Sequence, residues 1–218
     1  MNLGDTTPET ITGLIEKFRP DFSILSSVID HDQKIELILN DRTSFHLLSA
    51  GSRLPFITPV PKPETIGADR LALCAAAVHC YPKKNNLVIS TGSCITYNFI
   101  SQQHSFLGGS ISPGMEMRFK AMNYYTAKLP LVEAVWDFPL IGYDTKTNML
   151  SGVLFGLAGE IDGVIERYQS KYSNFNVLLT GGDTAFFAHL LKSEIFADPD
   201  LLFKGLYAIS ELNNDARI

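Results

Sequence analysis

The segment from Ile66 to Glu116 contains three polar, glycine-containing turns, and these turns limit the folds open to the chain. Gly67-Ala68-Asp69-Arg70 opens an alanine-rich segment, and Thr91-Gly92-Ser93 follows an apolar run. The third turn, residues 108–114, leads into Met115. Such turns present unshielded backbone N–H groups, which can bind phosphate oxygens. The sequence therefore indicates a site for a phosphorylated ligand.

Each turn also has a purely local explanation. Asp69 could cap a helix, and Arg70 would then be a solvated residue of the first turn. The Gly92-Ser93 turn could be the tip of a hairpin, and residues 108–114 a glycine-rich connection into a helix started by Pro113. In Thr180-Gly181-Gly182-Asp183, either Asp183 or Thr184 could cap a helix, or the turn could admit a base or ribose close to the backbone. The residues alone leave both interpretations open.

Helical and strand patterns alternate along the chain, which predicts an α/β fold. Thr7-Pro8-Glu9 has the composition of a helix start. Residues 51–66 hold four of the eleven prolines, which predicts an ordered, extended loop. The predicted helices cover residues 8–19, 33–39, 70–80, 112–128, 147–172, 184–192 and 201–212, and the predicted strands cover residues 22–29, 44–49, 87–90, 95–101 and 176–180.

The longest predicted helix, residues 147–172, carries glycines at 152, 156, 159 and 163 that lie close to one face. Glycine lowers helix propensity. Their presence predicts that something packs very close to this face, with a partner subunit as one candidate.

Composition excludes several classes of function. A net charge of −5, with no concentration of Lys or Arg beyond Lys83-Lys84, argues against nucleic-acid binding. The sequence contains no run of about 18 apolar residues, so no membrane span is predicted. The N-terminus lacks the pattern of a secretory signal. The three cysteines lack Cys-x-x-Cys spacing, which fits a reducing cytoplasm. The five histidines show no zinc-ligand spacing.

The motifs, taken in their order, resemble the type III pantothenate kinases, also known as the Bvg accessory factor family. The resemblance runs from about residue 10 to the C-terminus. It is carried by Ile66–Ala72, Gly92–Tyr97, Leu107–Gly114, Lys128-Leu129-Pro130, Ile141–Thr145, Gly152-Val153 and Thr180-Gly181-Gly182.

The resemblance implies an actin-like, duplicated ATPase fold of the acetate/sugar kinase–Hsp70–actin type, with ribonuclease-H-like halves at residues 1–82 and 83–218. It implies a cytoplasmic homodimer that phosphorylates pantothenate with ATP, a divalent cation such as Mg²⁺, and K⁺ or NH₄⁺. Asp69 would be the general base. Gly67, Ala68, Asp69, Arg70 and Thr145 would bind pantothenate, and Gly92, Ser93, Gly181 and Gly182 would bind ATP.

The chain also departs from the family pattern. Family members begin with a strand that ends in an Asp-x-Gly-Asn-Thr phosphate loop, which this sequence does not contain. Ser90 stands where an aspartate binds the monovalent cation, Val60 replaces a tyrosine, and Ser93 replaces a threonine. We therefore expect an N-terminal half that is incomplete, through either truncation or true loss. The alternatives to an active pantothenate kinase are a non-catalytic binding or regulatory relative, and a kinase for another small hydroxy compound.

Overall fold

The structure, a computed structural model, describes residues 7–214, which form two compact units. The second unit comprises Lys83–Gln103 and Leu107–Asp200, and the first comprises the other described residues. The elements are α1 Pro8–Phe18, β1 Phe22–Leu25, α2 Gln33–Arg42, β2 Ser44–Leu47, α3 Ala68–Cys80, β3 Asn85–Thr91, β4 Cys94–Ile100, β5 Phe106–Pro113, α4 Met115–Tyr125, α5 Thr145–Gln169, β6 Phe175–Thr180, α6 Thr184–Leu190, β7 Phe196–Ala197 and α7 Leu201–Asn214.

The first unit contains a small sheet and a pair of tightly packed helices. Strands β1 and β2 pair in parallel, and Leu25, Ile35 and Leu39 form a buried cluster beside them. Helix α3 buries eight consecutive residues, from Leu71 to Val78. Helix α7 crosses α3 at Gly205, where a Cβ would overlap the carbonyl oxygen of Ala72. This backbone contact requires glycine.

The second unit is built on a five-stranded sheet with the order β5-β4-β3-β6-β7. Strand β3 pairs antiparallel with β4 and parallel with β6, so the predicted 87–101 hairpin is confirmed. Helix α5 buries eight residues, seven of them in a core that includes Leu87, Ile89 and Tyr97 of the sheet. Within the described residues, α5 alone is long and apolar enough to cross a membrane, with a mean hydropathy of 1.2. Its buried face shows that such a composition also suits the core helix of a folded unit.

Several predicted elements need correction. Strand β1 ends at Leu25 rather than at residue 29, because residues 26–31 turn towards α2. The segment predicted as a glycine-rich connection is mostly strand β5, since the backbone of Gly109 lies directly against that of Tyr97 in β4. Pro113 ends that strand instead of starting a helix, and Gly114 is the N-cap of α4.

The glycines of α5 do not meet a close neighbour. Among the described residues, nothing lies within 4 Å of a Cβ built at Gly152, Gly156, Gly159 or Gly163. The prediction of close packing is therefore wrong within this part of the chain, and the partner subunit stays a prediction. The ribonuclease-H-like halves at residues 1–82 and 83–218 also stay a prediction, although residues 201–214 belong by contact to the first unit.

Candidate functional site

Strands β3 and β6 of the second unit end side by side. Ser90 lies opposite Thr180 in the parallel register, and the hydroxyl of Thr91 donates to the carbonyl oxygen of Thr180 over 3.0 Å. The backbone N–H of Asp183 returns to the carbonyl oxygen of Thr91, also at 3.0 Å. In α/β sheets, ligands bind outside the carboxyl ends of neighbouring parallel strands. This edge is therefore the natural place for a site.

Gly181 forms the turn after β6 and is required there by its backbone. Its φ is +103°, and a Cβ would overlap the carbonyl oxygen of Thr91. The Thr184 hydroxyl donates to the Gly181 carbonyl oxygen over 2.7 Å, which fixes the start of α6. The predicted capping by Asp183 is confirmed in position only, because its side chain makes no capping hydrogen bond.

The Gly92-Ser93 turn packs against the start of α4. The N–H of Gly114 donates to the carbonyl oxygen of Ser93 over 3.0 Å, and a Cβ at Gly114 would overlap the carbonyl oxygen of Gly92. No side chain among the described residues caps α4, and helix N-termini attract anions through their free N–H groups and dipole. The structure therefore brings together Gly92, Ser93 and Gly181, three of the predicted nucleotide contacts, with Gly182 next in the chain.

A cavity of about 450 Å³ lies at this edge and has three carboxylates in its wall. It is lined by Met115, Glu116, Phe119, Lys120, Leu131, Val132, Glu133, Ala134 and Asp183. Burial raises the pKa of Asp183 above its ordinary value of 3.8, and the charge of Glu116 raises it further. Lys120 is paired with Glu116 at 2.7 Å. The cavity thus has both apolar side chains and carboxylates in its wall, and it lies beside the N-terminus of α4.

Ser90 lies in a row of hydroxyl side chains. Its register partners are Thr96 on β4 and Thr180 on β6, and paired residues project from the same face of a sheet. Ser90 is half-buried, whereas Thr96 and Thr180 are buried. No group of three or more His, Cys, Asp or Glu residues within residues 7–214 is arranged to hold a metal ion.

Asp69, the predicted general base, lies in the first unit. Gly67 is the N-cap of α3 and Asp69 follows in its first turn, so the interpretation of Asp69 as the cap is wrong. The Asp69 carboxylate folds back towards Gly67, where it would meet an added Cβ at 2.5 Å. The Arg70 guanidinium lies 5.7 Å from the ring centroid of Phe106, a cation–π contact. Asp69 and Arg70 are both half-buried.

Thr145 is exposed at the first position of α5. Asp144 is the N-cap, and its carboxylate accepts from the N–H of Thr147 over 2.7 Å. The Thr147 hydroxyl accepts in turn from the Asp144 N–H over 3.1 Å, which completes a capping box. The capping box fixes the backbone at Thr145. The Asp-x-x-Thr pattern that signals the box was present in the sequence.

Sequence reasoning missed one polar cluster in the second unit. Tyr97, Arg118 and Glu160 meet there, although they lie on β4, α4 and α5. Arg118 and Glu160 are 42 residues apart and belong to different helices. No local spacing signals such a pair.

Comparisons with known proteins agree on one family. Residues 5–167 match the family model for type III pantothenate kinase. A protein of that name from Christiangramia forsetii is 44% identical over 191 residues, which cover 88% of this chain and 79% of the relative. Another from Bacteroides fragilis is 40% identical over 207 residues, covering 94% and 85%. A crystal structure of a putative Baf family transcriptional activator from Campylobacter jejuni shares the fold, with a TM-score of 0.59, 22% identity and coverage of 94% and 89%.

Proposed function

The chain belongs to the type III pantothenate kinase family, and on this premise we propose that it transfers the γ-phosphoryl group of ATP to pantothenate. The product would be 4′-phosphopantothenate, which begins coenzyme A synthesis. The family makes the chain a phosphotransferase that uses ATP with a divalent cation. One structural observation carries the proposal: the Gly92-Ser93, Gly114 and Gly181 backbones meet at the edge where β3 and β6 end.

The turns supply what a nucleotide phosphate chain needs. Gly92 and Ser93 would bind phosphate oxygens through backbone N–H groups and the exposed Ser93 hydroxyl. Gly181 and Gly182 would admit the nucleoside close to the backbone. Catalysis of phosphoryl transfer consists mainly of positioning and charge stabilisation, so a rigid cradle of backbone donors suits this chemistry.

Glu116 and Asp183 would hold the divalent cation. Mg²⁺ binds through one or two carboxylates and substrate phosphates and keeps several waters, so a pair of carboxylates on a cavity wall fits it. Burial, and to a smaller extent the charge of Glu116, raise the pKa of Asp183, and a bound cation would relieve the repulsion between the two carboxylates. The bound cation neutralises charge that develops on the phosphates.

Asp69 would accept the hydroxyl proton of pantothenate as the hydroxyl oxygen attacks the γ-phosphorus. Gly67, Ala68 and Arg70 would hold the substrate, and Arg70 offers a planar fork to a carboxylate. Thr145, fixed by its capping box, would contact pantothenate as well. These roles follow from the family motif. The first-turn position of Asp69, with its carboxylate directed back over Gly67, is compatible with them.

For the monovalent cation, K⁺ or NH₄⁺, we propose the Ser90 row of hydroxyls. Ser90, Thr96 and Thr180 offer neutral oxygens and no charge, so we expect weak binding. We also propose a cytoplasmic homodimer. Exposed apolar side chains on and near α4 and α5 support an interface there, notably Tyr124, Tyr125 and Phe155.

A coupled assay of ADP release tests the proposal. We expect turnover that requires pantothenate and Mg²⁺ and rises with K⁺ or NH₄⁺. ADP release with another small hydroxy compound and none with pantothenate would favour the second kinase hypothesis, since Val60 and Ser90 would then have altered specificity. Nucleotide binding without turnover on any acceptor would indicate the non-catalytic relative.

A further inference from the structure

A polar cluster in the second unit joins four of its elements. Glu160 on α5 accepts a hydrogen bond from the hydroxyl of Tyr97 over 3.0 Å and forms an ion pair with Arg118. The same Nη2 atom of Arg118 donates to the Ser112 hydroxyl over 3.0 Å. The cluster therefore ties α5 and β4 to β5 and α4.

The cluster is partly enclosed by the fold. Tyr97 is 1% exposed, and the Arg118 and Glu160 side chains are 25% and 28% exposed. Burial by itself raises the pKa of Glu160, but hydrogen bonds from Arg118, Ser112 and Tyr97 and the charge of Arg118 outweigh it and hold the pKa below its ordinary value of 4.5. Charge-assisted hydrogen bonds of this kind fix geometry more strongly than neutral ones.

Arg118 carries this fixation to the turn. Its Nε atom donates to the carbonyl oxygen of Pro113 over 3.0 Å, and its backbone N–H donates to the carbonyl oxygen of Gly114 over 3.1 Å. Gly114 in turn donates to the carbonyl oxygen of Ser93. A continuous path of hydrogen bonds thus runs from Glu160 through Arg118 to the Gly92-Ser93 turn.

We propose that Glu160 and Arg118 are positioning residues that hold the Gly92-Ser93 turn in the geometry that binds nucleotide phosphates. The inference rests on the proposed function, because that function assigns Ser93 to the phosphates. Neither side chain needs to touch the nucleotide. Glu160 orients Arg118. Arg118 in turn holds Pro113, the residue before Gly114, by a hydrogen bond to its carbonyl oxygen.

The variant Glu160→Gln tests this, since it keeps the shape of the side chain and removes its charge. Glu166→Gln is the matched control, because it makes the same change at an exposed position of the same helix. The dissociation constant of a non-hydrolysable ATP analogue with Mg²⁺ is measured by calorimetry. The KM values for ATP and for pantothenate are measured by the coupled assay. Trp136, the single tryptophan, packs against Phe186 with ring centroids 4.5 Å apart and reports folding by fluorescence.

We expect Glu160→Gln to raise the dissociation constant of the analogue and the KM for ATP about tenfold, equivalent to about 1.4 kcal/mol. The KM for pantothenate should stay within about twofold, as should every constant of Glu166→Gln. A purely structural role would lower the unfolding temperature and the active fraction and leave both KM values unchanged.

A folded Glu160→Gln protein that binds the analogue as tightly as the wild type overturns the inference. If that variant does not fold, Arg118→Lys replaces it, since lysine keeps the charge and loses the fork that reaches both Glu160 and Pro113. Failure of both variants to fold makes the role structural and also overturns the inference.

The proposed function fails separately. If the wild type binds the analogue without releasing ADP in the presence of pantothenate, the kinase assignment is lost, and the comparison of dissociation constants still decides the positioning role. A wild type that binds no nucleotide overturns both.

Discussion

The two regions assigned to one reaction are built in different ways. At the edge of the second unit, Gly114 and Gly181 lie against backbone carbonyl groups, and a Cβ at either position would overlap them. At the start of α3 in the first unit, a Cβ at Gly67 would meet the Asp69 carboxylate, which can rotate away. The first region is shaped by the main chain, and the second by side chains.

This difference separates folding from chemistry. In a cradle made of backbone, a substitution that damages the site also strains the fold, because the same atoms serve both. In a site made of side chains, chemistry can be removed while the helix stays intact. Substitutions in each region test whether the two regions differ in this way.

The largest effect is expected at Asp69. Asp69→Asn should lower turnover by roughly 10²- to 10⁴-fold, the usual contribution of a general base. Asp69 is not the cap of α3, so the unfolding temperature should stay near that of the wild type. The coupled assay and a thermal scan measure both quantities. Turnover close to wild type would remove Asp69 as the base.

Gly181→Ala, unlike Asp69→Asn, should lower the stability of the fold. A positive φ at a non-glycine residue and an overlap with the Thr91 carbonyl should lower the free energy of unfolding by about 1–3 kcal/mol. Gly182→Ala is the control for stability, because nothing among the described residues lies within 4 Å of its Cβ. Unfolding followed by Trp136 fluorescence measures the difference. Equal stability of the two variants would show that the turn can relax.

The α/β class was predicted correctly from the alternation of helix and strand patterns, and most helices were placed within a few residues. Local signals sufficed where the local sequence decides, as at the Thr7-Pro8 helix start. They failed at residues 108–113, where glycines suggested a loop. Pairing with β4 makes this segment a strand, and the partner that makes it so is distant in sequence.

The residues of the candidate site also divide into those that local sequence signals could predict and those that depend on tertiary packing. Gly92, Ser93 and Gly181 could be predicted because glycine records a backbone requirement at its own position. The Arg118–Glu160 pair could not, because an ion pair between α4 and α5 depends on how two helices pack. The carboxylates Glu116 and Asp183 likewise became neighbours of one cavity only in three dimensions.

Gly67→Ala sharpens the comparison within the first region. We expect the protein to fold with nearly wild-type stability, since the added methyl meets a flexible side chain. It should displace the Asp69 carboxylate and lower turnover about tenfold, as small misplacements of catalytic groups do. A large loss of stability with unchanged turnover per folded molecule would contradict the division between the two regions.

Ser90→Asp tests a side-chain position inside the backbone-built region. A carboxylate would add charge to the hydroxyl row of Thr96 and Thr180. We expect the K⁺ concentration that gives half-maximal turnover to fall by about tenfold, equivalent to about 1.4 kcal/mol. Ser90→Asn, with similar size and no charge, is the control. If both variants match the wild type, the cation is not bound at this row.

The smallest expected effect is a gain of stability at Asp183. Because burial and Glu116 raise its pKa in the folded protein above 3.8, ionisation of Asp183 opposes folding. This penalty is absent at low pH and develops as the pH rises through the raised pKa. Asp183→Asn should therefore unfold at a higher temperature than the wild type at about pH 7, and the gap should close towards about pH 3.5. The same variant should bind the ATP analogue with Mg²⁺ more weakly, because it loses a carboxylate proposed to hold the cation. A variant with wild-type stability at neutral pH would show that the Asp183 carboxylate is relieved by other means.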